Sequence, residues 1–556
     1  MILDGAATNG AATNGAAVSL EKELARYEAE RAALIEKEKS LRHDYTFRQR
    51  LTPTAKKAAA IVSKIRVHEA EKVWTKVEEE EGDVFPGMCF TLAKERMENS
   101  ILWKIVKQFP KGALLHAHLE AMVDTDWLLD RALETPGMHM YSEVPLTPEN
   151  LETAMFDFQY SPTTPSSSAS IFSSSYKSPT LISVSVAADS FPTPAGSNTR
   201  DAFRAWFKSR TTITPEESMK QHEGINLIWA KFQSVFRIIH GIVYYEPIFR
   251  RFVHEVLHNV HADGCLWADL RLAFLMQLRR KDTGEILPRH ELVRIFGEVV
   301  DAYVAETRGA FWGSRIIWTN VRAFDAKTIM DSMVECIDAK KRYPHIVSGF
   351  DLVAQEDKGR TLRSHLPELL QFRRLCAEAG VDIPLYLHAG ETLGDGTETD
   401  DNLFDAVLLG AKRIGHGFSL YKHPLLMELS RKHGICLEVC PISNEILRLT
   451  ASIMQHPLPA LLAHGVPVSI NNDDPGILGQ MQTGSMTHDF WQVLQAYDNV
   501  GLEGLGDLAE TGVRFAAFDG AAVGVEEGIR KKRLEQWRDQ WEKFCEWVCE
   551  EFEEWA

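Results

Sequence analysis

Eight short apolar runs, each closing on polar residues and most of them separated by stretches of helical pattern, set the organisation of this 556-residue chain. They are GALLHAH (112–118), CLWADLRL (265–272), RIIWTN (315–320), IVSGFDL (346–352), PLYLHAG (384–390), RIGHG (413–417), CLEVC (436–440) and VPVSINNDD (466–474). Such alternation predicts repeated βα units and a closed (β/α)8 TIM barrel. Intervening stretches such as 361–379 and 421–433 have the length that right-handed crossovers need. The unusual polar residues gather at the C-terminal ends of the runs, where barrel enzymes carry their chemistry.

Around that barrel the sequence predicts further parts. Residues 1–19, with a tandem AATNG, have almost nothing to bury and read as a disordered tail. Residues 20–100 read as an N-terminal helical arm: Leu20, Leu24, Tyr27, Leu34, Leu41 and Tyr45 fall on heptad-like positions, interrupted by Arg31 and Glu38, and a second helical pattern runs from Thr54 to about 77. The first strand opens the barrel within 101–135. An insertion after strand 1 occupies 136–224, and its Ser/Thr/Pro-rich part, 161–199, predicts a loop, disordered in the middle. The rest of the catalytic barrel spans 225–525. Residues 526–556 form a C-terminal amphipathic helix with Leu534, Trp537, Trp541, Phe544, Val548, Phe552 and Trp555 on one face. Cys545 and Cys549 beside that stripe read as packing rather than as a redox pair.

Composition narrows the function. A formal charge of −17 argues against nucleic-acid binding, which rests on Lys and Arg neutralising phosphates. No run of about 18 apolar residues suggests a membrane span, and the opening residues lack a signal-peptide pattern, so the expectation is a cytoplasmic protein without membrane contact. Eight cysteines, with none between Cys89 and Cys265, make a poor disulfide framework and predict free thiols.

Chemistry is concentrated in four segments. In LLHAHLE, alternation along the strand turns His116 and His118 to one face, although an HxH alone is weak evidence for a metal. HAGE ends the fifth run with His388 and places Glu391 in the following loop. IGHG flanks His416 with Gly415 and Gly417, as if the backbone turned closely about a ligand. INNDDPG supplies Asp473 and Asp474, which by themselves read as a simple turn. Three strand-end histidines and a strand-end aspartate from strands one, five and eight form an N3O set suited to Zn2+ with a position left for water. The fourth run, IVSGFDLVAQED, offers Asp351, Gln355 and Glu356 but no lysine before Lys358, which favours one metal over a lysine-bridged pair. CLEVCP does not fit the cysteine-ligated cytidine deaminase pattern, so Cys436 and Cys440 read as buried thiols.

LLHAHLE, FDLVAQED, LHAGET, RIGHGFSL, EVCPISNEIL and SINNDDPGILG together resemble the signature segments of the adenosine deaminase family, over roughly 85–520. LIWAKFQSVF (227–236) and MTHDF (486–490) bring the resemblance nearest to the adenosine deaminase-related growth factor branch. It implies one Zn2+ per subunit held by His116, His118, His388 and Asp473. Glu391 would then act on purine N1, His416 on the attacking water, and Asp474 on N7. For the sugar side it implies Glu120, where the family usually has Asp, the loop at Ala354, where classical members carry Gly, and Trp229 as a wall of the ribose site. Asp269, followed by Arg271, stands where Glu is commoner.

The resemblance implies a zinc-dependent hydrolytic deaminase converting adenosine and 2′-deoxyadenosine to inosine and ammonia, with a homodimer formed through the N-terminal helices. AMP, adenine or an N6-substituted purine is the alternative substrate. A non-catalytic binding or signalling protein on the same barrel is the second alternative, and retention of both acid and water-directing imidazole argues against it. The branch's extracellular signalling role does not carry over, because the insertion has no cysteine.

Overall fold

A computed structural model describes residues 20–74, 84–163, 170–194, 196–481, 485–518 and 525–556. The expected 1–19 tail lies outside the described residues. Parallel strands β1 (Gly112–Leu114), β2 (Cys265–Ala273), β3 (Gly313–Val321) and β4 (Val347–Val353) pair in that order, and so do β5 (Tyr386–Ala389), β6 (Arg413–His416), β7 (Cys436–Val439) and β8 (Val468–Ile470). Two parallel bridges, Phe350 to Leu385 and Ala117 to Asp473, join the halves into a closed ring. At the β1/β8 seam the Asn471 side chain accepts from Leu115 N–H and His116 N–H, at 2.9 and 3.1 Å, standing in for missing strand partners. Each of the eight predicted runs overlaps one barrel strand, with β2, β3 and β4 reaching one or two residues past theirs.

The barrel interior is charged at its centre. Fully buried Arg271 bonds Asp351 and Glu438, at 2.7 and 2.6 Å, while fully buried Arg413 bonds Asp269 and Glu438, at 2.6 and 2.5 Å. Arg413 also lies over the Tyr386 ring, 3.8 Å from its centroid. Buried ions survive only when paired and hydrogen-bonded, which these are. Two guanidinium groups facing three carboxylates leave this plug net negative, favouring a cation above it.

The flanking elements close the barrel's outside. Helix α1 (Leu20–Lys39) buries no residue. Helix α2 (Pro53–Lys72), capped by the Thr52 side chain, buries Ala55, Ala58, Ile61, Val62 and Ile65. The long helix α3 (Ile225–Val243) carries Trp229, Phe232, Gln233, Phe236 and His240 at helical spacing, so they share one face. Helices α4 (Gly501–Phe515) and α5 (Val525–Glu551) pack with α2, and Trp537, Trp541, Phe544, Cys545 and Val548 of α5 are buried. Trp537 donates to Pro110 O at 2.9 Å, tying α5 to the entry of β1. Cys545 and Cys549 are unpaired, as are the other six cysteines.

The insertion is more ordered than its composition suggests. Among its described residues, strands at Met138–Ser142, Phe156–Tyr160 and Ile182–Ser183 form an antiparallel sheet, and Val184–Asp189 is helical. Ile171, Tyr176, Ile182, Val184 and Phe191 are buried, and Phe191 packs against Phe203 and Trp206 with centroids 5.8 and 5.5 Å away. The expectation of a loop over 161–199 therefore needs correction there: sparse apolar residues between serines suffice when an aromatic cluster receives them.

Candidate metal centre and substrate cavity

The C-terminal ends of the strands converge on one cavity of about 400 Å³. Its metal side begins with His116 and His118, on one face because β1 continues extended past Leu114. Their rings lie 5.6 Å apart, and His388 at the end of β5 stands 4.6 Å from the first and 5.5 Å from the second. Asp473 closes the set, its Oδ1 3.2 Å from His116 Nε2 and 3.3 Å from His118 Nε2. Ligand atoms of His116, His118 and His388 lie within 4.8 Å of one another.

Two observations fit a cation at this point. His116 Nε2 and Asp473 Oδ1 are buried with no hydrogen-bond partner, a costly state unless something else engages them. Behind the rings, His116 Nδ1 meets Glu438 Oε2 at 2.8 Å and His388 Nδ1 meets Asp351 Oδ2 at 2.7 Å. Each ring thus donates Nδ1–H to a carboxylate and turns the Nε2 lone pair to the centre, the arrangement that metal-binding imidazoles adopt. Arg271 and Arg413 hold Glu438, and His388 with Arg271 holds Asp351, far below the ordinary carboxylate range despite burial. Burial lowers His388 to about 3, so its ring is neutral and available as a ligand.

Local backbone strain accompanies this geometry. His416, Asp473 and Ala354 have φ of +60°, +58° and +82°, values that cost non-glycine residues energy and persist where surrounding structure imposes them. Gly415 is required for space: a Cβ there would lie 2.9 Å from His116 Cε1 and 3.2 Å from the His388 ring.

The reacting side follows. Glu391 is buried, and desolvation, then Asp473 and Glu356, raises its pKa well above the usual value, so it carries a proton. Its backbone N–H is held by Glu356 Oε1 at 3.0 Å, and Asn402 holds the other Glu356 oxygen at 2.7 Å. His416 Nε2 lies 3.6 Å from Glu391 Oε1 and 3.8 Å from Asp473 Oδ2. Burial keeps His416 neutral. Asp474, with both oxygens buried and unpartnered, is likewise raised well above normal by desolvation and by Asp473.

The side where the resemblance would seat the sugar is different in kind. Trp229, Phe232, Gln233, Phe236 and His240 line it from α3, Leu275, Val321 and Ala354 from the strand ends. Glu120 points into the same wall, accepting from Tyr244 O–H at 2.6 Å and Ala273 N–H at 3.3 Å, and burial lifts its pKa to about 7. His240 Nε2 is buried and unpartnered, 3.8 Å from Glu120 Oε1. Gln355 bonds Asn226 at 2.9 Å, fastening the β4 loop to the start of α3.

Of the residues assigned a metal, catalytic or substrate role from the sequence, all but His116 line this cavity; His116 is fully buried, and Asp269 with Arg271 belongs to the charged plug of the barrel interior. Sequence reasoning missed Glu438, Asn444 and His456, and took Asp351 only as a test for a second metal. Glu438 had a signal: a lone carboxylate within the apolar run CLEVC must find a buried partner. Asn444 lay within the signature segment EVCPISNEIL without being singled out, and His456, farther beyond β7, had no signal.

A closed barrel with a His3Asp cluster and a buried acid at its mouth defines a hydrolase with a candidate metal centre. The sequence profile described as adenosine deaminase matches residues 209–524, and the chain belongs to the adenosine deaminase family. It is 32% identical to adenosine deaminase 2 of Sus scrofa over 83% of each chain, and 30% identical to that of Homo sapiens over 83% of each. An adenosine deaminase of Lutzomyia longipalpis is 29% identical over 81% of each chain. In fold it is similar to an amidohydrolase of Burkholderia ambifaria solved with bound Zn, with TM-score 0.52 and 15% identity over 80% of this chain and 94% of that one.

Proposed function

We propose that the protein is a zinc-dependent deaminase converting adenosine and 2′-deoxyadenosine to inosine and ammonia. His116, His118, His388 and Asp473 would hold one Zn2+, which when bound supplies a Lewis acid that makes water nucleophilic near neutral pH. Glu391 places its proton at N1, so that addition at C6 need not leave charge on the ring. Asp474 holds N7; that nitrogen is an acceptor, and a carboxyl that keeps its proton can donate to it. The observation that carries the reading is the buried Glu391 carboxyl, pushed toward its protonated form by desolvation and neighbouring carboxylates, with its backbone N–H held by Glu356 and its Oε1 3.6 Å from His416 Nε2.

The nucleoside reading is favoured over AMP by the lack of a cationic phosphate clamp among the described lining residues. Among the described residues its lining holds the acidic side chains Glu120, Glu391, Asp473 and Asp474, with Lys358 as the one lysine and no arginine. A 5′-phosphate near Glu120 would meet a carboxylate rather than a clamp. Trp229 and Phe236 offer the sugar apolar walls. A panel of adenosine, 2′-deoxyadenosine, AMP and adenine tests this: the two nucleosides should turn over best, and preference for AMP would overturn it.

Partner and location belong to the same proposal. The exposed apolar residues Leu20, Leu24, Tyr27, Leu34 and Ile35 of α1 fit a homodimer formed through this arm. Eight unpaired cysteines fit a reducing, cytoplasmic setting. Among the described residues no helix is long and apolar enough to cross a membrane.

A further inference from the structure

Beyond the ligands and the acid lies a chain of hydrogen bonds whose directions are all determined. It starts at a backbone group that can only donate: Leu458 N–H bonds His456 Nδ1 at 3.0 Å. His456 Nδ1 therefore carries no proton. Deep burial holds this ring neutral, with its pKa lowered to about 3, so its single proton sits on Nε2. That atom lies 3.0 Å from Asn444 Oδ1, which accepts it. The orientation of the Asn444 amide is thereby set, and its Nδ2, a donor only, faces His416 Nδ1 at 3.3 Å. All three side chains are buried, with no more than 4% of any exposed. Water does not compete for these positions.

We infer that Asn444 and His456 are positioning residues that lock His416 in the tautomer with hydrogen on Nε2. The inference rests on the deaminase reading and deepens it, because it decides what His416 can do. Its Nδ1 lone pair is engaged by the Asn444 amide, and its Nε2, facing the cavity, already bears hydrogen. The ring has no vacant nitrogen with which to take a proton from the attacking water. Its part is to donate a hydrogen bond to the oxygen that adds to C6. The O–C6 bond forms as Glu391 gives its proton to N1; one water proton restores Glu391, the other leaves with the amino group as ammonia, and the C6–N bond breaks. His416 keeps its own throughout.

The backbone supports this arrangement. Asn444 lies in the short helix Pro441–Ile446 after β7, and its carbonyl accepts from Leu449 N–H at 2.8 Å and Thr450 N–H at 3.2 Å, fixing the loop that returns to His456. Ser443, its neighbour, bonds Asp473 Oδ2 at 2.7 Å. One turn of chain thus orients both the carboxylate of the metal set and the imidazole beside it.

The test reads the tautomer directly. Zinc-loaded protein labelled with 15N-histidine should show His416 unprotonated at Nδ1 and protonated at Nε2 in two-bond 1H–15N spectra. Asn444→Asp presents a carboxylate to Nδ1, which should move the proton there and lower kcat about 100-fold while KM stays within about threefold. His456→Phe should lower kcat about 10- to 30-fold by freeing the amide to rotate, and His456→Gln, which restores a donor, should recover most of that loss. A wild-type His416 protonated at Nδ1, or an Asn444→Asp protein with tautomer and kcat unchanged, would overturn the inference. Should Asn444→Asp fail to fold, the wild-type spectrum and the His456 pair still decide it. Failure of wild-type protein to deaminate adenosine would remove the functional reading while leaving the tautomer measurement intact.

Discussion

The two walls of the cavity are built on opposite principles. On the metal wall several groups are fixed by a polar atom behind them: His116 by Glu438, His388 by Asp351, both carboxylates by Arg271, and the Glu391 backbone by Glu356. On the sugar wall the working surfaces are aromatic faces from α3, with Glu120 and His240 as its main buried polar groups. The first wall is preorganised by directional bonds and has little freedom to adapt. The second relies on shape and apolar contact, which set affinity more than rate. The contrast teaches where chemistry and recognition are separated in this molecule.

Substitutions can break the contrast, and the largest effect belongs to the metal wall. Glu391→Gln should retain metal and lower kcat about 10³-fold, because an amide of nearly the same shape cannot deliver a proton to N1. Near-normal turnover would contradict the role. Since burial and neighbouring carboxylates raise this group, the active protonated form predominates below the raised value, and kcat/KM should fall as pH rises through it. The fall should vanish in the Gln variant.

Next in size is the support behind the ligands. Asp351→Ala removes the acceptor that holds His388 and leaves Arg271 with one buried partner fewer. Metal affinity measured by competition with a chelator should drop about 10- to 100-fold. An unchanged affinity would mean that ring orientation is set by packing alone. The smallest effect is expected on the other wall. Trp229→Ala should raise KM for adenosine about tenfold with kcat altered less than about threefold, the pattern of a group that binds ground and transition states alike. A fall in kcat comparable to that of Asp351→Ala would erase the distinction between the walls.

The same division governed what could be read from the sequence. Barrel strands and the reacting residues were legible because they occur at strand ends, where apolar runs stop at His, Glu or Asp in fixed order. His416 was recognisable through Gly415 and Gly417, although the reason for Gly415 is the two imidazoles against its backbone rather than a bound ligand. The sugar wall was less legible: Trp229 looks the same as a core tryptophan, and only α3 crossing the barrel mouth brings it near Ala354. The network of Arg271, Arg413, Glu438 and Asp351 joins strands separated by up to 167 positions, beyond any local pattern. The ordered part of the insertion was hidden by its serines. Its buried residues are too widely spaced to show a period, yet Phe191 joins Phe203 and Trp206 in one aromatic cluster.

The account stands on one cation held by three imidazoles and one carboxylate, and titration measures that directly. Metal-free protein is supplied with increasing zinc while adenosine deamination is followed by ammonia release. Activity should rise linearly and stop at one equivalent, and His388→Ala should show neither the rise nor tight binding. Full activity in metal-free protein, or a plateau reached only at two equivalents, would contradict it.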